Sequence, residues 1–264
     1  MDLQLTGKTA FITGSTSGIG FAAARALAME GVRVILNGRD AAGVSSAIER
    51  MKKIVHHGRI EGMVADFSKP DQIKLLLDQL PEVHILINNV GIYTSDTFFD
   101  TTDEDWQHQM EVNLMSGVRL SRRILPQMLN ANWGRILFLS SECATLVPAD
   151  LIAYSTTKAA LQALSRGLAQ LTVGSGVTVN IIVPGSTLTE GAVTFLEKVA
   201  AAENKTPQSV SKEFFTNVRT SSLLQRFATV EEVASTIVYF ASPLAAATNG
   251  AVIKVDGGSS GGIL

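Results

Sequence analysis

The sequence predicts an α/β protein: a three-layer, doubly wound parallel sheet in a single domain. Short apolar runs alternate with helix-period segments along the whole 264 residues, a pattern that calls for right-handed crossovers between parallel strands. The runs are apolar on both faces, as in Ile85-Leu86-Ile87 and Ile136-Leu137-Phe138-Leu139, which suits strands covered by helices on both sides. No linker, low-complexity tract or solenoid-period repeat divides the chain.

Lys8–Thr13 reads as the first strand and runs into a glycine-rich turn. Phe21–Glu30 has helical character and stops at Gly31, placed as a C-terminal cap. Val32–Asn37 is the second strand, Ala41–Val55 a helix and Ile60–Ala65 the third strand. Pro70 stands near the start of a helix that runs to Leu80, and Val83–Asn88 is the fourth strand. Asp103–Leu129 reads as one long helix with a break at Pro126, followed by a fifth strand over Arg135–Ser140. A helix over Ile152–Val173 carries Leu161, Leu164, Leu168 and Leu171 as a core stripe. Val177–Val183 is the sixth strand. Gly191–Val218 is helical but interrupted at Thr206-Pro207. A helix over Val230–Ala241 and a strand over Ala251–Val255 close the chain.

Composition narrows the function. The chain is 46% hydrophobic and 17% charged, with a formal net charge of −2, as expected of a globular protein with a large core. No basic run suggests nucleic acid as a partner, and no 18-residue apolar stretch suggests a membrane span. Met1–Lys8 lacks the charged and apolar regions of a signal peptide. With one cysteine, Cys143, no intramolecular disulfide forms, and the expected location is the cytoplasm. His56 and His57 point apart on a helix, and His84 and His108 are scattered, so no metal site is expected. Ser141 has no nucleophile elbow around it and no histidine placed to serve it, which argues against a hydrolase.

The first strand runs into Thr13-Gly14-Ser15-Thr16-Ser17-Gly18-Ile19-Gly20, which opens a helix. Glycines there allow a sharp turn, close backbone approach to a pyrophosphate and tight helix–strand packing, and the helix start offers N–H groups to phosphates. A turn needing glycine for packing alone is the competing reading. Past the second strand, Asn37 brings no carboxylate against a 2′-phosphate and Arg39 is placed to grip one, although Asp40 is positioned to pair with Arg39. This favours NADP(H) over NAD(H). Asp66, beside Phe67, either accepts from an adenine amino group or caps the next turn.

Tyr154 and Lys158 stand four apart on a predicted helix and so share a face. Ser141 lies thirteen residues before Tyr154, at the carboxyl end of the fifth strand, where open α/β sheets bind ligands. Asn113 and Asn88-Asn89-Val90-Gly91 are expected to converge on the same edge.

With these pieces in order, the chain resembles the short-chain dehydrogenase/reductase family over almost its whole length. The matching residues are T-G-S-T-S-G-I-G, N-N-V-G, Asn113, Ser141 with Tyr154 and Lys158, Pro184-Gly185 with Thr189, and Asp256-Gly257-Gly258. The resemblance implies a Rossmann-type sheet of seven strands, a nicotinamide cofactor and a homotetramer or homodimer. It implies Tyr154 as proton donor or acceptor and Lys158 as the group that holds the nicotinamide ribose and lowers the phenol pKa. It implies Ser141 as hydrogen-bond donor to the substrate oxygen, and Asn113 as support for a water relay. Cys143 joins Ser141 and Tyr154 in the expected substrate site. The expected cofactor contacts are Gly14, Ser15, Thr16, Ser17, Gly18, Ile19 and Gly20 in the turn, with Asn37, Arg39, Asp66 and Phe67 at the adenosine end. Asn89, Val90, Gly91, Tyr154, Lys158, Pro184, Gly185, Thr187 and Thr189 complete them, Thr189 on the nicotinamide carboxamide. Two residues depart from the family pattern. Val90 replaces the usual alanine and either crowds the adenosine or nicotinamide ribose or, the preferred reading, packs in the core, and Glu142 beside Ser141 faces either solvent or the pocket.

The segment of about residues 188–226 is expected to form a substrate lid of two helices. Val193, Phe195, Leu196, Val199, Phe214, Phe215, Val218 and Leu223, with Ile92, Tyr93, Leu146, Val147 and Leu151, either wall an apolar pocket or pack lid to core. Glu190, Glu197, Lys198, Glu203, Lys205, Lys212, Glu213 and Arg219 are expected on a solvated face. Leu244, Asn249 and Ile253 are candidates for a symmetric interface. The function expected is hydride transfer between NAD(P) and a carbonyl or secondary alcohol, on a 3-oxoacyl, sugar, polyol or other ketone substrate. A catalytically idle dinucleotide-binding sensor and a methyltransferase are the rival readings; the set Asn113, Ser141, Tyr154 and Lys158 argues against both.

Overall fold

The computed structural model describes residues 1–56 and 58–262, so the His57 expectation lies outside the described residues. In chain order the elements are β1 (Thr9–Ile12), α1 (Gly18–Met29), β2 (Arg33–Gly38), α2 (Ala41–Lys52), β3 (Ile60–Val64), α3 (Pro70–Gln79) and β4 (Ile85–Asn88). There follow α4 (Asp103–Met110), a π-helical turn (Glu111–Met115), α5 (Ser116–Asn130), β5 (Gly134–Leu139), α6 (Cys143–Leu146), α7 (Ile152–Gln170) and β6 (Val177–Pro184). The last are α8 (Glu190–Glu203), α9 (Pro207–Asn217), α10 (Val230–Ala241), a 3₁₀ turn (Pro243–Ala245) and β7 (Val252–Val255).

The seven strands form one parallel sheet in the order β3-β2-β1-β4-β5-β6-β7. Leu27, Met51, Val233 and Ile237 pack α1, α2 and α10 on one face of the sheet. Ile73, Leu76, Leu120, Ile124 and Leu161 pack α3, α5 and α7 on the other. The chain reverses direction across the sheet between β1 and β4, and that switch point opens a crevice at the strand carboxyl ends.

Two local expectations are corrected. The long helix is irregular at Glu111–Met115, not at Pro126, which sits inside a continuous α5. Buried Leu120, Ile124, Leu125 and Met128 line that helix, and at ~1.5–3 kcal/mol each their burial exceeds the ~3 kcal/mol that an internal proline costs. The core stripe on α7 ends early: Leu161 is buried, whereas Leu171 caps the helix and is 64% exposed. At the far end Asn249 is used inside the chain, accepting from the Val179 N–H at 2.9 Å and donating to Thr172 Oγ1 at 2.8 Å. Ile253 packs against the core.

Candidate active site

The turn after β1 and the loop after β4 are built as one unit across the switch point. Asn89 Nδ2 donates to the Thr13 and Gly14 carbonyls at 2.9 Å, and Thr13 Oγ1 accepts from the Asn89 and Val90 N–H groups at 2.9 Å. Gly14 and Gly18 have φ of +58° and +59°, a region costly to residues with a Cβ. Gly20 is required for space: a Cβ there would lie 2.5 Å from Asn89 Nδ2 and 2.7 Å from the Gly14 oxygen. Val90 packs against the core as expected.

Beneath the turn, Ser15 Oγ donates to the Ile12 carbonyl at 2.7 Å and accepts from the Asn37 N–H at 2.9 Å. Asn37 Oδ1 accepts from the Gly14 N–H at 3.1 Å, and its Nδ2 donates to the Met63 and Ala65 carbonyls at 3.2 and 3.3 Å. Asn37 is buried, so its carboxamide braces the turn from below instead of facing a ribose. The sequence offers no local signal for this role, which needs the pairing of β2 with its neighbours.

The start of α1 is prepared for an anion. Its N-cap residue Ser17 makes no side-chain cap bond, so first-turn amides lack an internal partner. The Gly18 N–H donates to Glu190 Oε2 at 2.8 Å. Glu190 is exposed, as expected, and its carboxylate takes a position suited to a phosphate oxygen. The pyrophosphate of a dinucleotide fits this chemistry.

At the adenosine end, Asp40 caps α2 by accepting from the Gly43 N–H at 2.7 Å. Arg39 is exposed and makes no ion pair or hydrogen bond with the described residues. A Cβ on Gly38 would lie 2.6 Å from Thr16 Cγ2 and 3.0 Å from Val44 Cγ2, so a side chain at the end of β2 would have to displace both. Asp66 Oδ1 accepts from the Ser68 N–H at 2.9 Å and from its hydroxyl at 2.7 Å. Burial pushes the Asp66 carboxyl up, but the Ser68 bonds and the charges of Lys69 and Arg39 outweigh it and hold the group below its ordinary value. Phe67 belongs to the core.

The π-helical turn carries Asn113, and π turns recur at functional sites. Its Oδ1 accepts from the Ile92 N–H at 2.8 Å, and its Nδ2 donates to the Ile92 carbonyl at 2.9 Å and to Thr157 Oγ1 at 3.0 Å. Asn113 thus ties the N-N-V-G loop to the helix bearing Tyr154. One turn on, Lys158 Nζ donates to the Leu139 carbonyl at 3.0 Å and lies 5.6 Å from the Tyr154 ring centroid. A Cβ on Gly91 would approach that Nζ to 3.0 Å. The Ser141 hydroxyl accepts from the Cys143 N–H at 3.1 Å.

Burial raises the Tyr154 phenol above its ordinary pKa; Ser141, as a hydrogen-bond partner, opposes this, while Cys143, Tyr93 and Glu142 add to it. Burial also pushes the Lys158 ammonium down to about 8. The structure therefore brings Ser141, Tyr154 and Lys158 together at the crevice: a phenol, a second hydroxyl coupled to it, and a cation 5.6 Å from the phenol ring centroid.

Past β6, Thr187 Oγ1 donates to the Gly185 carbonyl at 2.9 Å, and Thr189 caps α8 by accepting from the Ala192 N–H at 3.2 Å. Of the expected apolar wall, Leu196 joins a small cluster with Ala200 and Val210, and Phe214, Phe215 and Phe227 pack together; Phe195, Val218 and Leu223 are exposed. Lys205 pairs with Glu203 and Glu213 at the surface. Arg219, in contrast, pairs with Glu142 inside the protein at 2.8 Å, which corrects the solvated reading of Arg219 and settles Glu142 against facing solvent. No His/Cys/Asp/Glu cluster among the described residues is arranged for a metal ion, and no described helix is long and apolar enough to cross a membrane.

Fold and site together define an oxidoreductase of the nicotinamide-dependent class that interconverts CH–OH and C=O groups. A family model described as enoyl-(acyl carrier protein) reductase matches residues 14–260. The L-sorbose reductase of Gluconobacter frateurii, solved with NADPH and L-sorbose, superposes with a TM-score of 0.93 over 100% of both chains at 29% identity. An uncharacterized oxidoreductase of Bacillus subtilis, YvrD, is 45% identical over 98% of each chain. D-beta-hydroxybutyrate dehydrogenase of Rhizobium meliloti is 33% identical over 95% of this chain and 98% of its own. The chain belongs to the short-chain dehydrogenase/reductase family.

Proposed function

We propose that the protein reduces a ketone, or oxidises the corresponding secondary alcohol, with NADP(H), using Tyr154 as general acid or base. The observation that carries this reading is the meeting of Ser141, Tyr154 and Lys158 at the switch-point crevice, beside a helix start already occupied by a carboxylate. When bound, the dinucleotide supplies or accepts the hydride. The protein's own groups do the rest. Ser141 donates to the substrate oxygen, Tyr154 gives or takes its proton, and Lys158 stabilises the phenolate and holds the nicotinamide ribose. Asn113 fixes the loop and helix that carry these groups. The segment 188–226 covers the site as a lid. Absorbance at 340 nm with NADPH and a panel of ketones tests the reading; NADPH binding with no turnover across the panel would favour an idle sensor instead.

Cofactor choice rests on Arg39, exposed and unpaired among the described residues, and on the absence of an acidic group at Asn37 and Gly38. Arg39→Ala is expected to raise the KM for NADPH on the order of 10- to 100-fold, the value of one charge-assisted contact, and to leave NADH kinetics unchanged. Equal effects on both cofactors would remove Arg39 from the 2′-phosphate site.

Glu190 competes with the pyrophosphate for the Gly18 N–H. Glu190→Gln is expected to tighten NADPH binding roughly tenfold, equivalent to ~1.4 kcal/mol, by removing a negative charge from the phosphate position. Fluorescence titration reads the Kd, and an unchanged or weaker affinity refutes the competition.

A further inference from the structure

We propose that Glu142 and Arg219 form a recognition pair for a hydroxyl group on the ketone substrate, close to the reacting carbon, so that the enzyme selects hydroxyketones over plain ketones and over anions. The proposal deepens the reductase reading above and rests on it.

Glu142 follows Ser141 directly, and its side chain is 4% exposed. Its Oε1 accepts from Arg219 Nε at 2.8 Å and from the Ser186 hydroxyl at 2.9 Å. Its Oε2 is buried and has no hydrogen-bond partner among the described residues. Arg219 comes from the segment beyond α9 and is 13% exposed; its Nη2 meets only Cys143 Sγ, at 3.7 Å, and its Nη1 makes no hydrogen bond among the described residues. The ends of β5 and β6 and the candidate lid therefore meet at one ion pair beside the reacting hydroxyls. Glu142 lies near enough to Tyr154 for its charge to act on the phenol.

A buried polar atom without a partner is unfavourable, and more so when charged. The pair leaves unmet one carboxylate acceptor and part of a guanidinium fork. A hydroxyl answers both, because it donates to Oε2 and accepts from Nη. A carboxylate only accepts, and it would bring a second negative charge against Oε2 in a buried site where the Arg219 charge is already neutralised by Glu142. An alkyl chain supplies neither bond. The ligand class that matches is a ketone bearing a neighbouring hydroxyl, such as a ketose or an α-hydroxyketone.

The competing explanation is a clasp that merely holds the segment 188–226 down, and that explanation predicts equal loss on every substrate. NADPH oxidation is measured with 2-hexanone, 1-hydroxy-2-hexanone and the 2-ketohexoses. The wild-type protein is expected to favour a hydroxylated ketone over 2-hexanone by at least tenfold in kcat/KM. Glu142→Gln is expected to lower the ratio of kcat/KM for that hydroxylated ketone to kcat/KM for 2-hexanone 10- to 100-fold, chiefly through the KM of the hydroxylated ketone, whatever common change in rate follows from removing a charge near Tyr154. Arg219→Lys, which keeps the charge but loses the fork, is expected to do the same and covers the case in which the Glu142 variant does not fold. Parallel losses on both kinds of ketone, or a wild type that prefers 2-hexanone, overturn the proposal and leave the reductase reading standing. A wild type that turns over no ketone at all overturns that reading and the pair's role with it.

Discussion

Replacing Tyr154 by Phe is expected to lower kcat by roughly 10³-fold while leaving NADPH affinity within about twofold, because a positioned acid or base contributes ~10²–10⁴ in rate. The substitution removes one oxygen and keeps the ring that packs against Tyr93, with centroids 5.7 Å apart. Without cofactor the phenol is held above its ordinary pKa of 10, mainly by burial. Work near neutral pH needs the phenolate about three units more accessible than in water, or ~4 kcal/mol. A cation 5.6 Å from the ring centroid, the Lys158 distance, supplies about 3 kcal/mol at an effective dielectric of ~20. That falls short of the need, which burial enlarges by holding the phenol above its ordinary value. On the proposed reading, an oxidised dinucleotide held beside Lys158 would add positive charge that favours the phenolate. Steady-state rates at 340 nm and a fluorescence titration check both halves; a variant keeping more than a tenth of wild-type turnover would take Tyr154 out of the proton transfer.

The parts of the site that the sequence exposes are those fixed by local geometry. Gly14 and Gly18 mark a turn that needs positive φ, and Tyr154 and Lys158 share a face because a helix repeats every 3.6 residues. What it hides depends on partners far along the chain. Glu142 and Arg219 are 77 residues apart, and Gly18 and Glu190 are 172 apart. Taken alone, Arg219 and Glu190 read as solvated residues, since most Arg and Glu side chains are exposed, and Glu142 stays open between solvent and the pocket. Asn37 is hidden for the same reason: its role depends on the carbonyls of Met63 and Ala65 in the neighbouring chain segment. The π turn around Asn113 is set by how the helix accommodates the loop it grips, and apolar periodicity carries no mark of it. The fold is legible more fully because burial on both faces of each strand is a property of the strand itself.

Lys158→Met is expected to stabilise the cofactor-free protein while removing most of its turnover. The ammonium is 3% exposed, and burial pushes it from 10.5 to about 8. At ~1.36 kcal/mol per pH unit, holding it protonated inside the fold costs about 3 kcal/mol. Methionine of similar length removes that cost but leaves the Leu139 carbonyl, which accepts from Nζ at 3.0 Å, without its donor, a loss of about 1–3 kcal/mol. A net gain of up to about 2 kcal/mol corresponds to a Tm rise of up to roughly 4–8 °C for a chain of this size. The gain has a defined pH window. Below about pH 8 lysine is charged in both the folded and unfolded states, and the full cost is present. Between about 8 and 10.5 the folded protein releases the proton while the unfolded chain keeps it, so wild-type stability rises with pH, and the advantage of the variant shrinks and then reverses by the value of the lost Leu139 contact. Thermal denaturation at pH 7 and pH 10 reads this directly, and a variant less stable than wild type at pH 7 would mean that contacts to the ammonium outweigh its desolvation. On the proposed reading, a buried cation that weakens the fold is retained because the same charge would act on the Tyr154 proton during the reaction.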